Sequence, residues 1–98
     1  MRALDKLRNI QRDISYSTER ELEKITSYSY HISCGDILKL VSLKSNCIES
    51  YCIQFIANHN TYMIEIPIST MKDLDISEIS KKLSRSITGG IYENTTVY

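Results

Sequence analysis

Two histidines and three cysteines are the residues of this sequence best suited to metal binding or nucleophilic chemistry. Zinc takes cysteine and histidine ligands at short intervals, and His31, Cys34, Cys47 and Cys52 loosely follow such a spacing. A hairpin between the flanking strands would, however, place Cys34 and Cys47 at opposite ends of one strand, roughly 30 Å apart at ~3.3 Å per residue. A cluster of His31, Cys34 and His59 at one end of the sheet is the remaining alternative. We expect no metal site and no cofactor.

Cys34 is also the best candidate for a catalytic nucleophile, because His31 precedes it by three residues and Asp36 follows closely. A reactive thiolate needs a neighbour that lowers its pKa, and the histidine must itself be oriented by a third group. Three such residues in one connecting stretch recur by chance. The sequence also contains no glycine-rich phosphate loop, HExxH or GxSxG motif. We therefore expect a protein that is not an enzyme.

Basic residues form two clusters of the kind that contacts phosphate groups. The first comprises Arg2, Lys6, Arg8 and Arg12, and the second comprises Lys81, Lys82 and Arg85. Solvated helix faces carry similar clusters, and 12 Lys and Arg against 12 Asp and Glu give a formal net charge of zero. A dedicated nucleic-acid binder usually shows a basic excess. Nucleic-acid binding through these basic helix faces is therefore the alternative function, and its affinity should fall steeply as salt is raised.

Several tyrosines lie in segments whose hydrophobic pattern gives little sign of burial. Tyrosine is enriched at protein interfaces because it supplies contact area at a low entropic cost. The candidates for binding a partner protein are Tyr28, Tyr30, Tyr92 and Tyr98. Packing of these rings over the sheet, with the hydroxyl groups in water, is the alternative.

Length and composition limit the class of protein. Ninety-eight residues allow one domain with one core, so we expect a single domain over 1–98. No apolar run approaches the ~18 residues of a membrane span, and the N-terminus lacks the apolar core of a signal peptide. An odd number of cysteines suits a reducing compartment better than a disulfide framework. We expect an intracellular, cytoplasmic protein that does not enter a membrane.

The absence of catalytic motifs, the neutral charge and the small size favour a non-enzymatic protein that binds another protein. The composition is skewed toward Ile, Ser, Tyr and Asn, as in AT-rich genomes, and small single-domain proteins of this kind are common in phages and viruses. We therefore expect a phage or viral regulator or inhibitor that acts in the host cell on a host protein, such as a defence protein.

A hairpin is the clearest structural signal in the sequence. Residues 51–57 and 62–68 alternate in the manner of strands, and Asn58, His59 and Asn60 form a turn between them. Residues 36–44 have apolar side chains on both sides, which is typical of a central strand or of a strand covered on both faces. Together these segments predict a three-stranded antiparallel meander over 36–68, ending near Pro67 because proline cannot donate to a ladder.

The sequence shows helical periodicity both before and after the segments predicted to form this sheet. Residues 2–29 form an N-terminal helical region, either two helices separated at 15–18, with Thr18 and Glu21 as a capping box, or one continuous helix. Residues 75–86 form a helix with Asp75 at its N-terminus, and residues 91–98 form a C-terminal strand. The fold class is therefore α+β, with both helical regions on one face of the sheet.

The periodicity also predicts which side chains are buried and whether the chain associates. The expected core comprises Leu7, Ile10, Leu22, Ile25, Leu40, Val41, Ile53, Phe55, Ile64, Ile66, Ile79 and Leu83. The sheet cannot cover the whole apolar stripe of Leu4, Leu7, Ile10 and Ile14, so we expect a homodimer through residues 2–14.

Overall fold

The computed structural model describes residues 3–26, 30–41, 49–89 and 95–96. Helix α1 spans Ala3–Ile25 and is followed by strand β1 (Ser33–Val41), strand β2 (Glu49–Ala57) and strand β3 (Asn60–Pro67). A short 3₁₀ segment, Ile68–Asp73, leads into helix α2 (Ile76–Gly89), and strand β4 (Thr95–Thr96) follows. The fold is α+β, as predicted, with a helix before a three-stranded antiparallel sheet and a helix after it.

The four strands lie in the order β1-β2-β3-β4. The first three pair antiparallel, whereas β4 pairs parallel to β3, with Thr95 opposite Ile64. The predicted β2–β3 turn is confirmed: Asn58 and His59 both have positive φ angles, 51° and 66°. Two successive left-handed residues twist a hairpin in the direction that suits its strands, and asparagine tolerates this conformation well.

Strand β1 differs from the sequence-based prediction in its start and its position, and the predicted strand residues 42–44 lie outside the described residues. It begins at Ser33, three residues earlier than predicted, and it lies at an edge of the sheet rather than at its centre. Apolar side chains on both of its sides therefore do not reflect burial on both sides: Leu38 and Leu40 are partly exposed.

The core lies between one face of the sheet, here called the inner face, and the two helices. β2 and β3 contribute alternate residues, because successive side chains of a strand point to opposite faces. The buried apolar residues are Leu7, Ile14, Leu22, Ile32, Ile53, Phe55, Ala57, Tyr62, Ile64, Ile66, Ile79, Leu83 and Ile87. Of the predicted core, Ile25 and Leu40 are exposed and Ile10 is half-buried. The side chain of Val41 lies outside the part that the structure describes.

Helix α1 is continuous from Ala3 to Ile25, so of the two alternatives the single helix is confirmed and the break at 15–18 is wrong. Thr18 does not cap a second helix. It lies fully buried inside α1, and its hydroxyl donates to the Ile14 carbonyl oxygen at 2.6 Å. Burial of this face against the sheet and α2 outweighs the low helix propensity of Ser and Thr. The helix ends before residues 27–29, which lie outside the described residues.

Small polar side chains form the contact between α1 and α2. Thr18, Ser80 and Ser84 are all buried, and Ser80 Oγ lies 3.5 Å from the Ile14 carbonyl oxygen of the other helix. Each hydroxyl also donates to a carbonyl oxygen of its own helix, so burial leaves no donor unmet. Small residues at these positions allow the two helices to approach closely.

Helix α2 begins as predicted. The Asp75 carboxylate accepts a hydrogen bond from the Glu78 backbone N–H at 3.2 Å, which satisfies one of the free donors of the first turn. The helix continues to Gly89, three residues beyond the predicted limit. Of the predicted C-terminal strand over 91–98, Thr95 and Thr96 form β4, and the rest lies outside the described residues.

The apolar stripe expected to form a dimer is largely used within the chain. Leu7 and Ile14 are fully buried in the core, and Ile10 is half-buried, so Leu4 is the stripe residue that remains exposed. The premise that the sheet leaves this stripe uncovered therefore fails, although dimerisation itself stays a prediction.

Candidate interaction surface

The face of the sheet opposite the helices, here called the outer face, is the candidate site. The strand register defines it: Leu40 lies opposite Ser50, and Leu38 opposite Cys52. β3 completes these rows with Pro67 and Glu65, and adds Met63 and Thr61 opposite Gln54 and Ile56. Residues paired directly across strands share a face, so all these side chains project away from the core.

The outer face is apolar for a surface in contact with water. Leu38 is 44% exposed, Leu40 38% and Ile56 40%, and Met63 is half-buried beside them. Glu65 is the one charged side chain among these outer-face positions of β1, β2 and β3. Open faces of antiparallel sheets usually carry polar residues, so these exposed apolar side chains make the outer face a candidate interaction site.

Smaller side chains fill the centre of the outer face. Cys52 and Ser50 are buried between their larger neighbours. Burial raises the pKa of the Cys52 thiol above its ordinary value, and the negative charge of the opposite residue Glu65 raises it further. Cys52 is therefore a neutral packing residue at neutral pH and a poor nucleophile.

A β-bulge in β1 sets which of its residues reach the outer face. The register with β2 shifts between Cys34 and Ile37, so Cys34 and Ile37 both lie on the inner face although they are three residues apart. Leu38 therefore projects outward. Gly35 sits in the bulge, where a Cβ atom would lie only 3.1 Å from the Gln54 side chain.

Gln11 of α1 holds the bulge from the inner side. Its side chain is 5% exposed, and its Nε2 donates to the carbonyl oxygens of Gly35 at 2.9 Å and Gln54 at 3.1 Å. A bulge interrupts the ladder, and the two amide hydrogens of Gln11 satisfy carbonyl groups on both strands at that point. This buried polar residue links α1 to the register of the outer face.

A second link fixes the segment that enters β1. The Ile32 N–H donates to Glu19 Oε1 at 2.8 Å, and the Ile32 carbonyl oxygen accepts from Ser15 Oγ at 3.1 Å. His31 Nδ1 lies 3.9 Å from the same Glu19 oxygen, on an exposed side chain. α1 therefore anchors β1 at its start as well as at its bulge.

The histidine and cysteine residues that the structure describes form no metal-binding group. Cys34 pairs with Phe55, four residues before His59, and its Sγ lies 3.9 Å from the Gln11 carbonyl oxygen. Across the described residues, no group of three His, Cys, Asp or Glu side chains is placed to hold a metal ion. Cys47 lies outside the described residues.

Three of the four tyrosines predicted to bind a partner lie outside the described residues, namely Tyr28, Tyr92 and Tyr98. Tyr30 is half-buried and packs against the core, which leaves only part of its ring for a partner. Tyr16 is 59% exposed, and the Arg20 guanidinium lies 4.8 Å from its ring centroid and donates to its hydroxyl at 2.9 Å.

The described basic residues lie largely at the surface, and at least one of them has acidic neighbours. Lys6, Arg8, Arg12, Lys82 and Arg85 are exposed, Lys81 is half-buried, and Arg2 lies outside the described residues. Lys82 lines a cavity of about 330 Å³ that also contains three carboxylates, those of Asp73, Asp75 and Glu78. These acidic neighbours weaken the attraction of Lys82 for phosphate.

The sequence-based prediction missed the outer face itself. Its signal was present in the hairpin, where the apolar residues Cys52, Ile56 and Met63 alternate with the core residues and therefore point to the opposite face of the sheet.

Comparisons with protein-family models, curated proteins and solved structures found no match. None of the helices in the described part of the chain is both long and apolar enough to span a membrane.

Proposed function

We propose that this protein is a small non-enzymatic module that binds another protein through the outer face of its sheet. The observation that carries the proposal is the exposure of Leu38, Leu40 and Ile56 on one face, whose paired positions across β1, β2 and β3 contain one charged side chain, Glu65. Such a face gains free energy when an apolar partner surface covers it.

The free energy gained by covering these side chains would contribute to binding but would not be sufficient alone. Complete burial of a Leu or Ile side chain contributes about 1.5–3 kcal/mol. Because Leu38, Leu40 and Ile56 are each about two-fifths exposed, covering the remainder contributes roughly 0.6–1.2 kcal/mol each, or about 2–4 kcal/mol together. A partner must therefore add contacts of its own to offset the entropic cost of association.

We further propose that the module acts as a regulator or inhibitor of a host protein, in the manner of small phage or viral proteins. The support is a formal net charge of zero and a composition skewed toward Ile, Ser, Tyr and Asn, as in AT-rich genomes. A small neutral chain with an apolar face is suited to covering a partner's surface.

A pull-down with two matched substitutions tests the outer face. Tagged wild-type protein and the variants Ile56→Asp and Ile25→Asp are used to capture proteins from a candidate host lysate, with quantification by mass spectrometry. Both isoleucines are exposed, but Ile25 lies at the end of α1, away from the outer face. We expect a protein that wild type and Ile25→Asp retain equally and that Ile56→Asp retains at least about tenfold less.

Two results would contradict the proposal. Equal retention by all three proteins would show that binding does not use the outer face. No specifically retained protein at micromolar bait concentration would count against protein binding altogether. Circular dichroism of both variants verifies that each one is folded.

Nucleic-acid binding is the second candidate, and the exposed basic residues of α1 favour it. Arg8 and Arg12 are one turn apart and share a helix face, with Lys6 nearby. Within the described residues, none of the three forms an ion pair. Binding to a labelled duplex at 50 and 200 mM salt tests this: phosphate contacts predict a steep loss of affinity, whereas salt-independent or absent binding excludes it.

A further inference from the structure

The edge of β1 and the first turns of α1 form a second surface, which shares Leu38 with the outer face but otherwise lies apart from it. Gln11 contacts Gly35 and Ser15 contacts Ile32, so α1 runs antiparallel to β1. This direction brings the N-terminal half of α1 alongside the bulge and the residues that follow it.

A cavity of about 310 Å³ lies at this edge, between helix and strand. Leu4, Ile37 and Leu38 supply apolar walls, and Arg8 and Asp36 supply one charge of each sign. Leu4 and Leu38 are each 44% exposed. These five residues are called the edge patch.

The two charges of the edge patch are available for an external contact. Arg8 and Asp36 are both exposed, and neither belongs to an ion pair among the described residues. A patch with one cation and one anion beside apolar groups is complementary to itself under a two-fold rotation. Such a rotation brings each charge of one copy to the opposite charge of the other.

We propose that the edge patch is the two-fold interface of a homodimer, in which Arg8 of each copy pairs with Asp36 of the other copy. The leucine side chains of the two patches cover one another and fill the cavities. A formal net charge of zero removes long-range repulsion between the copies. This interface shares Leu4 and Arg8 with residues 2–14, through which the sequence predicts a homodimer, but of the apolar stripe it uses only Leu4.

The contact is made by side chains rather than by a continuous eight-stranded sheet. The bulge between Cys34 and Ile37 breaks the regular edge of β1, and Lys39 lies in the middle of the regular part. Bulges and lysines are two devices that prevent edge strands from adding to one another. Lys39 is already engaged, at 3.0 Å from a Glu49 carboxylate oxygen.

Sedimentation equilibrium of the full chain tests the dimer at loading concentrations from roughly 20 to 600 µM, which bracket a Kd on the order of 100 µM for a small interface. We expect the average mass to rise from 11.3 kDa toward twice that value. A constant monomer mass over the whole range overturns the proposal and leaves the edge to a partner of another kind.

Charge reversal then tests the pairing itself. Arg8→Glu and Asp36→Lys each place like charges at both symmetric contacts, and each should raise the dimer Kd about tenfold or more. An equimolar mixture of the two variants restores an attractive pair at both contacts, so heterodimers should form with an affinity near that of the wild type. Arg85→Glu, which reverses an exposed charge on α2, is the matched control and should leave the dimer unchanged.

The outcomes separate this proposal from the proposed function. If both reversal variants dimerise like the wild type, or if their mixture stays monomeric, the Arg8–Asp36 contact is refuted. Ile56→Asp lies outside the edge patch and should dimerise normally even when it no longer retains a partner. Circular dichroism of each variant identifies any loss of fold, and the mixing experiment remains decisive because both of its components must be folded to associate.

Discussion

Replacing Gln11 by Met should destabilise the fold through the bulge rather than through the core. Met keeps nearly the same length and volume but has no hydrogen to donate, so the carbonyl oxygens of Gly35 and Gln54 lose their bonds of 2.9 and 3.1 Å. Each such bond contributes about 0.5–1.5 kcal/mol net, and a buried acceptor left without a donor adds to the loss. Because the site is 95% buried (5% exposed), we expect about 2 kcal/mol in all.

Urea unfolding followed by circular dichroism measures this change, with Arg12→Met as the control. Arg12 is the next residue of α1, is exposed and has no hydrogen bond within the described residues, so its substitution should stay within about 0.5 kcal/mol of wild type. For a domain of ~100 residues, a loss of about 2 kcal/mol lowers Tm by roughly 8–16 °C. Equal stability of Gln11→Met and Arg12→Met would refute the role assigned to Gln11.

The variant Gln11→Glu tests the direction in which stability changes with pH. A carboxylate there faces two carbonyl oxygens, so the folded state favours its protonated form and raises its pKa above the ordinary ~4.3 of glutamic acid. A raised pKa gives stability that is present below the unfolded value and is lost as pH rises through the folded value. The deficit relative to wild type should therefore be smallest near pH 4 and largest at neutral pH. A deficit that grows as pH falls would contradict this geometry.

Two further predictions concern packing and thiol chemistry. Thr18→Leu should lower the free energy of unfolding by about 1–3 kcal/mol in chemical denaturation, because the close contact of α1 and α2 has no room for the larger side chain. The control Ser17→Leu, at the neighbouring and partly exposed position, should change this free energy little. The second prediction uses a Cys47→Ser background treated with iodoacetamide at pH 8, with labelling followed by mass spectrometry. The exposed Cys34 should be modified well before the buried Cys52, whose thiol pKa is raised. Faster labelling of Cys52 would contradict its burial.

The β2–β3 hairpin could be predicted from the sequence because its signals are local. Strict alternation fixes the inner face, and Asn58 and His59 occupy the left-handed conformations that an asparagine-rich turn favours. The N-cap of α2 is local in the same sense, since Asp75 and Glu78 are three residues apart. Interactions within a few residues of one another leave a pattern that needs no knowledge of the rest of the chain.

The continuity of α1 could not be predicted in that way. A Ser and Thr stretch lowers helix propensity by a few tenths of a kcal/mol per residue, and Thr18 followed by Glu21 has the form of a capping box. The deciding contribution is long-range: Thr18 is buried against α2, whose Ser80 is 62 residues away in sequence. Tertiary packing of small side chains therefore overrides a local signal.

The bulge in β1 was equally hidden, and it decides where the candidate site lies. Simple alternation from Cys34 on the inner face would place Leu38 on the inner face as well. The extra residue of the bulge reverses this parity, and it depends on Gly35 within the strand and on Gln11 from a separate helix. The assignment of Leu40 to the core had another cause: apolar residues on both sides of β1 were interpreted as a strand buried on both faces, whereas β1 lies at an edge with Leu40 exposed.

β1 carries two surfaces that are protected to different degrees, and this difference bears on the proposed binding of a partner protein. The bulge and Lys39 protect its backbone edge against the addition of another strand. The hydrogen bond from Lys39 to Glu49, together with the attraction of that carboxylate, raises the pKa of the lysine and keeps it charged. The outer face has no comparable guard, since Leu38 and Leu40 project from the same strand into water. A chain that blocks backbone pairing while exposing apolar side chains is suited to docking by side-chain complementarity. Specificity should then depend on the shape of the outer face, so substitutions there should alter partner binding far more than substitutions that change only the edge charge of Lys39.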